Sequence, residues 1–300
     1  MRILACLALA FALGCGSSTT GPATDDGGPV SYPAAPATEI GGDRPAVVYS
    51  PSDYDAGNPY PLVILLHGFN TPGFVQNAYL QTSNSVDEKQ FVFLLPEGLT
   101  NPNGAQFWNG TPACCDGFGS GVDDVGYLRG LIAEASEQYN IDARRVYVMG
   151  HSNGGFMSYR MACEASDVVT AIASLAGATF ATEAECTPDE PVSVLQIHGT
   201  DDSTILYDGG ANGGGRYPSA LDSVRRHAQV AGCNLDAPSL LPGLDILLAD
   251  GNDTEALRFE DGCANGIEAE LWTLPGAPHI PGVSPDFSPA ILDWLFRQSK

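Results

Sequence analysis

The chain is predicted to fold as an α/β domain on a mainly parallel sheet, and three observations carry that prediction. Seven apolar runs of strand length recur, several apolar nearly throughout, as strands buried on both faces of a parallel sheet must be. Helical patterns lie between them, the alternation expected of βαβ units. Composition does not break after about residue 40 and no internal repeat is present, so one domain accounts for residues 40–300.

Taken in order, the strand runs open with Ala46–Tyr49, Leu62–His67 and Phe91–Leu95. From Asp123 to Tyr139 a helix follows, because Leu128, Leu131, Ile132, Ala135 and Tyr139 share one face. Asp123 and Asp124 stand at its start, where carboxylates suit the positive end of the helix dipole. Val146–Gly150, Ala171–Leu175 and Val192–His198 are the next strands. Ser219 to Ala231 is helical, and Ala269–Leu274 is the seventh strand. Ser288-Pro289 is predicted to cap a last helix that buries Ile291, Leu292, Leu295 and Phe296.

The N-terminal residues read as a targeting segment. Arg2 precedes the apolar run Ile3 to Leu13, too short to span a bilayer and of the right length for the core of a signal peptide. Ala12-Leu13-Gly14-Cys15 resembles a bacterial lipobox, with Ala12 in place of the usual Leu, Val or Ile. The expectation is a signal peptide over 1–15, a lipid anchor on Cys15, and a flexible tether over 16–39 rich in Ser, Thr, Gly, Pro and Asp. That places the protein outside the cell or in the cell envelope, touching membrane only through the anchor. An even set of six further cysteines in an exported chain implies disulfides. Neighbourhood in sequence suggests Cys163–Cys186 and Cys233–Cys263, which leaves Cys114 and Cys115 either bonded to each other or as two free thiols.

Charge narrows the partners. Lys and Arg number 13 against 36 Asp and Glu, a net charge of −23, which repels nucleic acid and anionic membrane surfaces.

Chemistry concentrates at Gly150-His151-Ser152-Asn153-Gly154, a G-x-S-x-G pattern between a strand and the helix-forming run after it. A reversal that tight needs glycine on both sides, and it displays the serine hydroxyl above the sheet. A displayed serine needs a base, and the base an orienting acid. His279 fits as base, in a loop directly after Leu274, at the carboxyl end of a strand. His227 lies inside a helical pattern, where packing is the expected role. Asp201 and Asp202, after the strand ending at His198, both qualify as the acid by position. Donors for a tetrahedral oxyanion are assigned to the N–H groups of Phe69 and Asn153, which makes His67 a structural residue of its loop. No metal or cofactor is required, and Asp250-Gly251-Asn252-Asp253 lacks the rest of a calcium loop.

With these residues in place, the sequence resembles the secreted α/β-hydrolase esterases that include LpqC-type poly(3-hydroxybutyrate) depolymerases and feruloyl esterases. The resemblance rests on LLHGFN at 65–70, FLLPEG at 93–98, FWNG at 107–110, ACCDG at 113–117, VDDVGYL at 122–128, RVYVMGHSNGGFMSYRMAC at 145–163, IHGTDD at 197–202 and GAPH at 276–279. It implies an α/β-hydrolase fold, a Ser152–His279–Asp202 triad and a cleft walled near Trp108. The Gly-Thr-x-Asp pattern of the family favours Asp202 over Asp201, and Pro278 stands where the family has glycine. The implied function is a serine carboxylic ester hydrolase working through an acyl-enzyme. Its substrate is a small or oligomeric ester, with feruloylated neutral oligosaccharides ranked above polymeric poly(3-hydroxybutyrate). A serine peptidase and an inactive surface binding protein are the competing classes. The intact set of Ser152, Asp202 and His279 argues against the latter, while a triad alone does not fix the bond cleaved.

Overall fold

A computed structural model describes residues 32–33, 36–248 and 254–300. The expected signal peptide, Cys15, most of the tether and the turn at 250–253 lie outside the described residues. Ten strands form the main sheet: β1 (Glu39–Ile40), β2 (Ala46–Tyr49), β3 (Tyr60–Leu66), β4 (Val92–Pro96), β5 (Ile141–His151), β6 (Ala171–Leu175), β7 (Ser193–Gly199), β8 (Ser239–Leu241), β9 (Glu255–Phe259) and β10 (Ala269–Leu274). Their spatial order is β1-β2-β4-β3-β5-β6-β7-β10-β9-β8. The six from β4 to β10 run parallel, and antiparallel pieces close both edges.

The parallel strands are mostly apolar because both faces are covered, except over the first half of β5, which is partly exposed. Along β3, Leu62, Ile64 and Leu66 pack with residues of α2 (Asp124–Gln138) and α3 (Asn153–Glu164). Val63 and Leu65 point to the other face, toward Ile291, Leu292 and Leu295 of α5 (Phe287–Phe296). None of Leu62 to Leu66 has exposed surface, and each such side chain contributes about 2 kcal/mol by burial. Two more helices complete the layers, α1 (Gly73–Leu80) and α4 (Ala220–Val230). Asp123 caps α2 through its side chain, which accepts from Gly126 N–H, and Ser219 caps α4 likewise from Asp222 N–H.

Two expectations need correction. The fold begins before residue 40: β1 starts at Glu39, and the Tyr139 hydroxyl donates to Ala37 O at 2.7 Å, so 37–39 belong to the domain and not to the tether. Ser288 is not the cap of α5. The helix starts at Phe287 behind Asp286, and the Ser288 hydroxyl donates instead to Leu80 O at 2.6 Å, which leaves Pro289 in the first turn where its missing N–H is not needed. Asp124 opens α2 as expected, and its carboxylate is buried and paired with Arg44 at 2.7 Å. The sulfur pairs are Cys163–Cys186, Cys233–Cys263 and Cys114–Cys115, so the last two are bonded to each other.

Candidate active site

The turn from β5 into α3 is built by exclusion of side chains. A Cβ on Gly150 would collide with Gly154, and a Cβ on Gly154 would collide with the Leu66 carbonyl. Ser152 stands between them at φ 54° and ψ −115°, a conformation that costs an L-residue about 1–3 kcal/mol. Its N–H is held by Leu175 O at 2.8 Å, and α3 starts immediately after it. The hydroxyl is thereby presented at the carboxyl edge of the sheet, between β3 on one side and β6 on the other.

The loops after β7 and β10 bring the remaining groups together. Those strands are parallel neighbours with Gly199 opposite Leu274. Thr200 N–H donates to Leu274 O (3.1 Å), Asp201 N–H to Ala277 O (3.1 Å) and Gly276 N–H to the Thr200 hydroxyl (2.8 Å). Stitched in this way, the loops set His279 Nε2 2.9 Å from Ser152 Oγ and His279 Nδ1 2.7 Å from Asp202 Oδ2. Pro278 is accommodated without breaking this arrangement. Asp202 is buried, whereas Asp201 is exposed and engages the site only through its backbone. Burial pulls the Asp202 carboxyl upward, but hydrogen bonds from His198, His279 and the Ile205 amide outweigh it and hold the group well below the usual carboxylate range.

Phe69 and Ser152 line the same cleft of about 400 Å³, together with Ala113, Cys114, Cys115, Phe118 and Ile205. Neither the Phe69 nor the Asn153 N–H has an acceptor among the described residues, as groups waiting for a ligand oxygen must. Trp108 does not wall this cleft. It is fully buried, its indole N–H donates to His67 O at 3.1 Å, and Arg44 lies over its ring at 5.1 Å. Its backbone has a different use: Trp108 N–H donates to Asn153 Oδ1 (2.7 Å) and Asn153 Nδ2 donates back to Trp108 O (2.9 Å). That reciprocal pair fixes the first residue of α3. Besides Phe69, the cleft is lined by the phenyl ring of Phe118, which sits in a loop of glycines and small polar residues with no periodicity to single it out.

Four other histidines are buried, and three have their acid–base behaviour displaced. His67 donates from Nδ1 to Gly68 O (2.8 Å) and accepts Gly98 N–H at Nε2 (2.8 Å), a loop-fixing role. His151 donates from Nε2 to the backbone O of His279 at 3.0 Å. His227 packs on Tyr159 and meets the Thr179 hydroxyl at 3.3 Å. Burial is the main cause that pushes each of these three down to about 4. Among the described residues one cluster, Cys163, Cys186 and His227, brings metal-ligand atoms together, but the two sulfurs are already bonded to each other.

These shifts have a definite sign. The unfolded chain protonates the three histidines below about pH 6.5, whereas the folded chain resists until about 4, so stability falls as pH drops through that window. Each histidine costs about 3 kcal/mol when the window is fully crossed. The melting temperature is expected to drop by roughly 10 °C or more between pH 7 and pH 5. A flat melting profile over that range contradicts the burial argument. Asp202 acts in a separate, lower window, since its stabilisation is lost only as pH falls below the ordinary carboxylate range.

Comparison with known proteins places the chain among esterases. A family described as "Putative esterase" matches residues 37–216. Feruloyl esterase B of Piromyces equi is 27% identical over 247 residues, covering 80% of this chain and 43% of that protein. A bifunctional acetylxylan esterase/xylanase of Neocallimastix patriciarum is 28% identical over 171 residues, covering 56% of this chain and 23% of that protein. The chain therefore spans less than half the length of these two relatives. Among solved structures, an acetyl xylan esterase from Aspergillus awamori aligns with a TM-score of 0.62 at 14% identity, over 86% of this chain and 98% of that one. At that identity the likeness speaks for the fold alone, and the fold is that of the α/β-hydrolases. With the family match running over 180 residues from β1 through the loop after β7, the chain belongs to the esterase family.

Proposed function

We propose that the protein is an exported serine carboxylic ester hydrolase that works through an acyl-enzyme. The observation that carries this reading is the unbroken hydrogen-bonded series Ser152 Oγ, His279, Asp202, with the serine displayed on a strained turn. His279 Nε2 takes the Ser152 proton as Oγ attacks the ester carbonyl, while Asp202 holds the proton on Nδ1 and offsets the imidazolium charge. The amides of Phe69 and Asn153 receive the oxyanion. His279 then protonates the leaving alkoxide, and water repeats the cycle on the acyl-enzyme.

The cleft favours a neutral ester with an aromatic or short aliphatic acyl group. Its lining includes Phe69, Phe118, Ala113 and Ile205 and no charged side chain. The relatives named for feruloyl and acetylxylan ester hydrolysis support that class, with hydroxycinnamoyl esters of neutral oligosaccharides first. Export, with a lipid on Cys15, is supported by the apolar N-terminal run and by three disulfides.

A panel of methyl ferulate, 4-nitrophenyl acetate, 3-hydroxybutyrate oligomers and a peptide anilide tests this. Methyl ferulate turnover is expected to exceed the oligomer rate, with no measurable anilide cleavage. Preferred amide cleavage contradicts the ester assignment. With a net charge of −23, polyanionic esters are expected to react faster as salt rises, and neutral ones to be indifferent to it.

A further inference from the structure

We propose that His198 is a positioning residue of the active site, supplying Asp202 with a second imidazole donor on the same oxygen that receives His279. The inference rests on the triad reading above and extends it to a histidine that the triad does not use. Asp202 Oδ2 lies 2.7 Å from His279 Nδ1 and 3.2 Å from His198 Nε2. Its partner Oδ1 accepts the N–H groups of Thr204 (2.8 Å) and Ile205 (2.9 Å). The carboxylate thus accepts three hydrogen bonds, from Thr204, Ile205 and His279, with His198 Nε2 beside the oxygen that receives His279.

The tautomer of His198 follows from its neighbours. Gly177 O can only accept, so the Gln196 nitrogen 2.9 Å away must donate to it. The same Gln196 nitrogen faces His198 Nδ1 at 3.1 Å, which makes Nδ1 the acceptor. The proton of a neutral His198 therefore sits on Nε2, donated to Ile205 O at 2.8 Å, with Asp202 Oδ2 beside it at 3.2 Å. Gln196 and His198 are alternate residues of β7 and both are buried, so this series runs under the triad: Gly177, Gln196, His198, Asp202, His279, Ser152.

The titratable neighbours are few. His279 and His151 approach from the loop after β10 and the end of β5, and Tyr207 stands edge-on to His198 at 5.7 Å. Asp201 is exposed, and among the described residues no Lys or Arg is paired with Asp202. Two imidazoles therefore share the charge of one carboxylate oxygen. Removing His198 directs that charge wholly to His279, which favours the imidazolium over the free base and loosens the carboxylate laterally. A histidine that only tied down the Ile205 loop would affect stability and leave the acid–base behaviour of the reaction unmoved.

The test compares the full-length wild type with His198→Ala, His198→Gln, Gln196→Met and Ser152→Ala, measuring kcat and KM for 4-nitrophenyl acetate from pH 4 to 9. For His198→Ala we expect kcat to fall about 10-fold, KM to stay within about twofold, and the acidic limb of kcat/KM to move up by about half a pH unit or more. In His198→Gln, whose Nε2–H group reaches toward the same oxygen, the limb is expected to return to the wild-type position. Gln196→Met keeps His198 but frees its tautomer. It is expected to shift the limb in the same direction by less, and it carries the test if His198→Ala does not fold. An unmoved limb despite lower kcat, or a His198→Gln profile no better than His198→Ala, overturns the proposal. Activity retained in Ser152→Ala looks different: it removes the triad reading itself, and this proposal with it.

Discussion

Replacing Ser152 with alanine is expected to lower ester turnover by about 10⁴ or more, and His279→Ala by a comparable factor. The two losses should not add in the double variant, because nucleophile and base act as one unit across their 2.9 Å hydrogen bond. Folding should survive both changes. Ser152 is held by its backbone, through Leu175 O, and its side chain meets only His279 in the described contacts. Thermal melting separates the explanations: a dead variant that melts as the wild type does has lost chemistry, whereas a variant that melts early has lost its turn.

The second large effect distinguishes two adjacent aspartates. Asp202→Asn is expected to cost about 10³–10⁴ in kcat, since an amide facing His279 Nδ1 can present its own N–H and favour the wrong tautomer. Asp201→Asn should stay within about twofold, because the contribution of that residue is a backbone N–H to Ala277 O. The contrast is sharp because the two residues share charge, loop and neighbourhood but not burial. If the Asp201 change proves the damaging one, the acid has been assigned to the wrong carboxylate.

Much of this was legible in the sequence, for physical reasons that can be named. Strands buried on both faces announce themselves as mostly apolar runs, so β3, β4, β6, β7 and β10 were readable to within a few residues, whereas β5 starts at Ile141, five residues before its apolar run. The antiparallel edges β1, β8 and β9 were not, because short, half-exposed strands such as Ser239–Leu241 carry neither a long apolar run nor clean alternation. Helix α1 was missed for a related reason: Gly73–Leu80 buries only Gly73, Gln76 and Leu80 and has no side-chain cap. Ser152 and His279 were readable from chain order and their place after strands. Position alone left Asp201 and Asp202 equal; the family's Gly-Thr-x-Asp pattern favoured Asp202, and its burial within the folded loop agrees. Trp108 shows the limit most clearly. An aromatic beside a motif suggests a cleft wall, but its ring packs inward on His67 and Tyr127 while its backbone pins Asn153. Gln196 and His198 were invisible as partners because a buried polar series two residues apart on a strand looks like ordinary strand sequence.

The central claim is that Ser152 is an activated nucleophile, and covalent labelling tests it most directly. Purified protein is treated with a fluorophosphonate at neutral pH, then examined by intact mass and by peptide mapping. The account predicts one adduct per chain, on the peptide containing Ser152, absent in Ser152→Ala and strongly slowed in His279→Ala. No adduct on the wild type, or an adduct that persists on another residue in Ser152→Ala, contradicts it.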